Sequence, residues 1–271
     1  MNAGDAEQGP VTAGDFPVPP IPRAALVTGG AQRIGEALVR TLAGDGFAVA
    51  IHYNKSAHAA QNLAERIRSS GGKAIAIAAD LADEAAVNAL LSRAARELGP
   101  IGCLVNNAAV FANDTVETVT RESWDLHLAV NLRAPFVLIQ DFAARLPMDM
   151  GGAIINLLDQ RVWSLTPYFV SYTVAKAGLW ALTQTMALAL APRIRVNGIG
   201  PGPTLPSPRQ SAEQFARQCE LTPLRRGTSP KEIAAAMRFI LSAPAMTGQM
   251  IALDSGQHLG WAHPQRQLPV E

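Results

Sequence analysis

The chain has 271 residues, 48% of them hydrophobic and 17% charged, and its 23 basic and 22 acidic side chains leave a formal net charge of +1. That composition excludes a disordered or collagen-like chain, and the balanced charge gives no electrostatic reason for a nucleic-acid partner. The two cysteines, Cys103 and Cys219, have neither metal-ligand spacing nor the density of a disulfide framework, so no metal site is expected.

Residues 1–21 are rich in Gly, Pro and small polar side chains and read as a flexible leader. They lack a basic start followed by an apolar run, so they do not read as a signal peptide. One domain is expected over 22–262, followed by a short tail over 263–271. The most apolar helical run, "GLWALTQTMALALA", has 14 residues and polar interruptions, too few to span a bilayer. A soluble, cytoplasmic protein with no membrane partner is expected.

Short apolar runs then alternate with longer amphipathic ones. "AALVT" (24–28) reads as a strand and is followed by a helix over 34–44. Strands at 48–53 and 73–80 are followed by helices over 56–69 and 83–98, the latter with Asp83 as N-cap. "CLVNNA" (103–108) ends a fourth strand before one long helix over 121–145. "AIINLL" (153–158) precedes a helix over 169–191, and strands at 194–200 and 249–254 enclose a helix over 230–242. That helix opens on "SPKE", with Ser229 as cap, proline at the first helical position and Glu232 closing a capping box. Residues 201–228 read as one irregular, Pro-rich stretch suited to a substrate loop. Repeated βα units with near-continuous apolar strands predict a single α/β domain, doubly wound, with a seven-stranded, mainly parallel sheet flanked by helices on both faces. A ligand crevice then falls at the carboxyl ends of the strands.

"LVTGGAQRIGEAL" joins the first strand to the first helix. Gly29, Gly30 and Gly35 let the backbone approach a pyrophosphate at a helix N-terminus, and Gln32, Arg33 and Ile34 complete the turn. Arg33 stands where a third close-packed glycine is common, and its planar cation suits phosphate or an anionic substrate. The end of the second strand, His52, Tyr53, Asn54, Lys55 and Ser56, carries no acid to accept bonds from ribose hydroxyls. Positive charge at Lys55 and donors at Ser56 suit a 2′-phosphate, so NADPH is expected over NADH.

Tyr172 and Lys176, four apart in a helical segment, share one face. An ammonium near a phenol favours the phenolate, which would tune Tyr172 to exchange a proton near neutral pH. Thirteen residues before Tyr172, a buried strand ends at Asp159, a carboxylate that is costly there unless partnered or useful. It reads either as a partner of Tyr172 or as a turn cap paired with Arg161.

"TGGAQRIG", "NNAA" (106–109), "AVNL" with Asn131, "SYTVAK" and "IGPGPT" (199–204) occur in the order and spacing of the short-chain dehydrogenase/reductases, which this chain resembles over about 23–260. The resemblance implies a Rossmann fold and a nicotinamide oxidoreductase in which Tyr172 is the acid or base. Lys176 would bind the nicotinamide ribose, and Asn131 would support a water-linked proton relay. It also implies cofactor contacts from Asp80 and Leu81, from Asn107, Ala108 and Ala109, from Leu157, and from Pro201, Gly202 and Thr204. Most members carry serine where Asp159 stands and glycine where Arg33 stands. Both departures, with "HYNKS" and Phe111, resemble the pteridine reductase branch, in which the phenylalanine stacks on a pterin. A pterin presents a reducible C=N bond, so a proton must reach nitrogen, and an acid hydrogen-bonded to tyrosine suits that step.

The expected function is NADPH-dependent reduction of a pterin such as a dihydropterin, dihydromonapterin or a dihydrofolate-like substrate. The rival readings are a carbonyl reductase of the same family and a non-catalytic NADPH sensor. Substrate contacts are expected from Arg33, Phe111, Asp159, Trp163, Tyr172 and Leu205, with Pro206 beside the last. Arg161 reads either as a substrate contact or as a surface residue, and neither it nor Arg209 is assigned to an anionic substrate arm. The resemblance implies a homotetramer built through 121–145 and 169–191; separately, the tail from Ser255 reads as a segment that could reach a neighbouring subunit.

Overall fold

The structure is a computed structural model and describes residues 18–207 and 209–260. Most of the expected leader and the whole of the expected tail lie outside the described residues. Seven strands form one sheet: β1 (Ala24–Val27), β2 (Ala48–Tyr53), β3 (Ala74–Ala78), β4 (Cys103–Asn106), β5 (Gly152–Leu157), β6 (Ile194–Pro201) and β7 (Met250–Leu253). Their order is β3-β2-β1-β4-β5-β6-β7, and every neighbouring pair is parallel. The strand order reverses beside β1, so the crevice opens where β1 and β4 end.

Helices α1 (Arg33–Gly44), α2 (Ala57–Ser69) and α3 (Glu84–Leu98) follow the first three strands. On one face of the sheet, Leu38, Leu42 and Leu63 pack with Ile233 and Met237 of a helix introduced below. On the other, Leu90 and Leu91 pack with Leu104, Leu138 and Phe142. Both faces are covered, which is why β1, β4 and β5 are buried along their whole length and read as continuous apolar runs. Asp83 caps α3 through the Ala85 amide, as its sequence position predicts.

The structure corrects three expectations. The expected helix over 121–145 is divided into α4 (Arg121–Leu128) and α5 (Ala134–Arg145) by a wide π turn, Ala129–Arg133, carrying Asn131. After α6 (Val170–Leu190), the stretch over 201–228 is not wholly irregular: it contains α7 (Ala212–Glu220), ahead of α8 (Pro230–Ser242). The signal for α7 was present in "SAEQ", since Ser211 and Gln214 form a capping box. None of this helix's residues is fully buried, and only Phe215, Gln218 and Cys219, on one face, are half-buried. Finally, the end of the expected leader is already anchored, because the Pro20 carbonyl accepts the Gly151 N–H at 2.9 Å.

Asn131 explains the π turn's place in the fold. Its side chain is fully buried, donates to the Val110 carbonyl at 2.8 Å and accepts the Val110 N–H at 2.8 Å. It therefore ties the loop after β4 to the start of α5. Asn131→Ala leaves both backbone groups of Val110 without a partner and should destabilise the fold by about 2 kcal/mol or more. Thermal unfolding should fall by several degrees; an unchanged melt would contradict this assignment.

Candidate active site

The phosphate-binding turn is shaped by close approach. Gly29 has φ +60°, and a Cβ there would meet the Ala108 Cα at 3.0 Å, while a Cβ on Gly35 would strike the Gly29 carbonyl. Arg33 also takes a left-handed φ of +56°, where glycine is the unstrained residue. Its guanidinium compensates by donating to the carbonyls of Pro206 (3.0 Å) and Leu205 (3.3 Å) across the crevice.

His52 does not face the crevice as expected. It is 2% exposed, accepts the Gly29 N–H on Nδ1 at 3.0 Å and holds the Ala79 carbonyl through Nε2 at 3.1 Å. Burial pushes its pKa down to about 4, so the ring stays neutral and its acceptor nitrogen fixes the turn from behind. Asn54 and Lys55 are exposed beside half-buried Tyr53, and Ser56 donates to the Gln32 side chain at 3.5 Å. Asp80 is exposed and caps the Ala82 N–H, while Leu81 is buried in the core. The glycine cradle and an acid-free β2 end with an exposed lysine fit a phosphorylated dinucleotide.

Beyond β5, Asp159 accepts the Tyr172 hydroxyl on Oδ2 at 2.9 Å. It also accepts its own turn's Arg161 N–H at 2.9 Å and pairs with the Arg161 guanidinium at 3.1 Å. Asp159 therefore contacts Tyr172 and Arg161 at once. Lys176 is buried and donates to the Leu157 carbonyl at 2.6 Å, with its ammonium 5.9 Å from the Tyr172 ring. Burial lowers its pKa to about 8.

The expectation that Lys176 lowers the Tyr172 pKa is not met. Burial first, and then the charge of Asp159, raise Tyr172 well above the ordinary phenol range, while the charge of Arg161 pulls the other way. The lysine points at a carbonyl, and the carboxylate is nearer to the hydroxyl.

A cavity of about 680 Å³ joins these groups. Ile34, Asn107, Ala109, Leu157, Pro201, Gly202, Thr204 and Leu205 line it with Arg33, Phe111, Asp159, Tyr172 and Lys176. Ala108 lies behind Gly29. Phe111 lies edge-on to Tyr172 at 4.8 Å. Trp163 is a correction: it lies outside the lining, 44% exposed, edge-on to Trp180 at 6.3 Å and to His258 at 5.2 Å. Asn131 lies in the π turn behind the cavity, with both polar groups of its side chain engaged by Val110. Arg161 lines the cavity, as does Arg209, which donates to the Phe111 carbonyl at 2.8 Å.

Three features escaped the sequence reading. Phe169, left-handed at φ +58°, stacks on Phe111 with centroids 4.5 Å apart. Phe215 and Gln218 reach the cavity from α7. Below Tyr172, buried Asp114 accepts the Ser171 hydroxyl, and Ser171 lies 2.8 Å from His127 Nδ1, which also donates to the Ser123 carbonyl. His127 Nε2 accepts the Ala112 N–H at 3.2 Å. This network fixes the loop carrying Phe111 against the start of α6.

The family model described as enoyl-(acyl carrier protein) reductase matches residues 29–258. The chain is 36% identical over 242 residues to a probable galactose dehydrogenase of Rhizobium meliloti, covering 86% of this chain and 94% of that one. It is 31% identical to the 3-oxoacyl-[acyl-carrier-protein] reductase of Staphylococcus aureus, covering 88% and 98%. Among solved structures, FolM alternative dihydrofolate reductase 1 from Brucella canis, complexed with NADP, superposes with a TM-score of 0.86 at 49% identity, covering 89% and 96%.

This chain belongs to the short-chain dehydrogenase/reductase family. It is an NADP-dependent oxidoreductase, similar to the pteridine reductase branch of that family.

His52 gives the site a pH signature. Its folded pKa of about 4 lies below the ordinary 6.5, so the unfolded chain binds the extra proton between those values. Its contribution is complete above 6.5 and is lost as pH falls toward 4. Wild-type stability should therefore fall more steeply than that of His52→Gln over this interval. Parallel curves in thermal unfolding would overturn the assignment.

Proposed function

We propose that the protein reduces a dihydropterin, dihydromonapterin or dihydrofolate-like substrate with NADPH. The observation that carries this reading is the 2.9 Å hydrogen bond from Tyr172 to Asp159, where most of the resembled family keeps a serine. A serine hydroxyl donates to a ketone oxygen. A carboxylate cannot do so when ionised; it accepts from the phenol and orients it. Bound NADPH supplies the hydride to carbon of the C=N bond. Tyr172 gives its proton to nitrogen, Asp159 holds the hydroxyl in line, and Lys176 binds the nicotinamide ribose.

The cofactor's phosphates fall to Gly29, Gln32, Arg33, Ile34 and Gly35, with Lys55 and Ser56 toward the 2′-phosphate. Asn107, Pro201, Gly202 and Thr204 border the nicotinamide. On the substrate side, Phe169 covers one face of Phe111, the Arg209 guanidinium lies 5.8 Å from the ring centroid, and the face opposite Phe169 is the one assigned to a planar ring. Arg33 and Leu205 close the pocket opposite.

The same reading extends to a homotetramer in the cytoplasm, occupying 22–262 as one reductase domain. Leu128, Leu132, Phe136 and Leu182 form an apolar surface where α4, α5 and α6 meet, suited to a second copy. Among the described residues no helix is long and apolar enough to cross a membrane.

A carbonyl reductase is the second reading, favoured by the similarity to the 3-oxoacyl-[acyl-carrier-protein] reductase of Staphylococcus aureus. NADPH oxidation with dihydrobiopterin, dihydromonapterin, dihydrofolate and a simple ketone separates the two. Turnover of a pterin is expected, and turnover of the ketone alone would sink the proposal. Asp159→Ser should lower pterin turnover about a hundredfold while NADPH affinity stays within about twofold. Tyr172→Phe should abolish reduction yet still bind NADPH, as followed by cofactor fluorescence.

A further inference from the structure

Oδ2 of Asp159 accepts two donors at once, the Tyr172 hydroxyl at 2.9 Å and Arg161 Nη1 at 3.1 Å. Both partners of the ion pair are largely enclosed, with side chains 14% exposed for Asp159 and 17% for Arg161. The local sequence enforces the pairing. Asp159 caps a 3-10 turn, Gln160–Val162, through the Arg161 N–H, so the arginine begins its course already bound to the carboxylate. The guanidinium then lies 4.9 Å from the Phe169 ring centroid and 5.4 Å from that of Phe111. A cation held from three sides is not a solvated surface residue, and it lines the reaction cavity.

The consequence follows from charge. A carboxylate beside a phenol opposes loss of the phenolic proton, because two negative charges would then share one place. A guanidinium on the same carboxylate oxygen opposes that penalty. The other titratable groups facing Tyr172 do this less directly. Lys176, one turn along α6, turns its ammonium to the Leu157 carbonyl, and His127 of α4 lies edge-on at 6.2 Å with Nδ1 on Ser123 and Ser171. Arg209 bonds to the Phe111 backbone instead.

We propose that Arg161 is a positioning residue for proton delivery: it shares the Asp159 oxygen with Tyr172, offsets the carboxylate charge, and keeps the phenol able to donate. In the reductive step the Tyr172 O–H bond breaks and an N–H bond forms on the substrate, while the hydride from NADPH forms the C–H bond. The phenolate left behind sits beside the Asp159–Arg161 pair and regains its proton from solvent before the next turnover. This inference rests on the proposed function only in taking Tyr172 as the proton donor.

The test is the pH profile of kcat for Arg161→Met and Arg161→Lys. It uses whichever of dihydropterin or ketone the wild-type enzyme reduces, with the KM for NADPH measured alongside. Reduction of the ketone alone defeats the pterin reading and leaves this test intact. With Met, the plateau should fall about tenfold and the alkaline limb should move up by about one pH unit, because the phenol becomes a weaker acid. Lys should restore the limb and most of the plateau. A Met variant with wild-type plateau and limb overturns the proposal. So does a lowered plateau with an unmoved limb, which marks a merely structural or substrate-contact role. If the Met variant does not fold, Lys decides: a wild-type limb supports the proposal and a displaced one defeats it.

Discussion

The site depends on where one carboxylate is placed. Asp159 stands at the end of a strand buried along its whole length, and a charge in that position is retained only with partners. It finds three: the Arg161 backbone, the Arg161 guanidinium and the Tyr172 hydroxyl. The same contacts that make the carboxylate tolerable bring a proton donor and a cation to one point of the crevice. Stability and chemistry here are two consequences of one hydrogen-bonded cluster.

Around that cluster the fold uses buried polar groups as fixed struts. Asn131 ties the π turn to Val110, His52 holds the Gly29 amide, and Asp114 with Ser171 and His127 secures the loop bearing Phe111. Each replaces a bond to water with one of defined direction, and leaving any of them half-made costs more than the bond itself contributes. The strain at Arg33 fits the same pattern, since its left-handed backbone sits where its side chain can hold two carbonyls of the opposite loop.

Much of this was legible in the sequence, for identifiable reasons. The strands were plain because both sheet faces are covered, which leaves uninterrupted apolar runs. The glycine turn was plain because only a missing Cβ permits the contact between Gly29 and Ala108. Asp159 and Tyr172 could be paired because their thirteen-residue spacing matches the position where most of the resembled family keeps a serine before its tyrosine. What escaped depends on direction, not spacing. Nothing in one dimension says that Trp163 turns toward Trp180 and His258, that His52 faces inward, or that a left-handed Phe169 lies over Phe111. The π turn hides because Ala129–Arg133 keeps a helical composition, and α7 hides because its half-buried face has only two larger apolar side chains, Phe215 and Cys219, although its capping box is written in the chain.

In the proposed reaction Tyr172, held by Asp159, delivers a proton to a ring nitrogen lying over Phe111. A crystal structure with NADP and a dihydropterin analogue tests it most directly. The pterin ring is expected on the Phe111 face opposite Phe169, with the nitrogen to be protonated within about 3.2 Å of the Tyr172 hydroxyl oxygen. A ring bound elsewhere in the cavity, with Asp159 turned away from Tyr172, would contradict it.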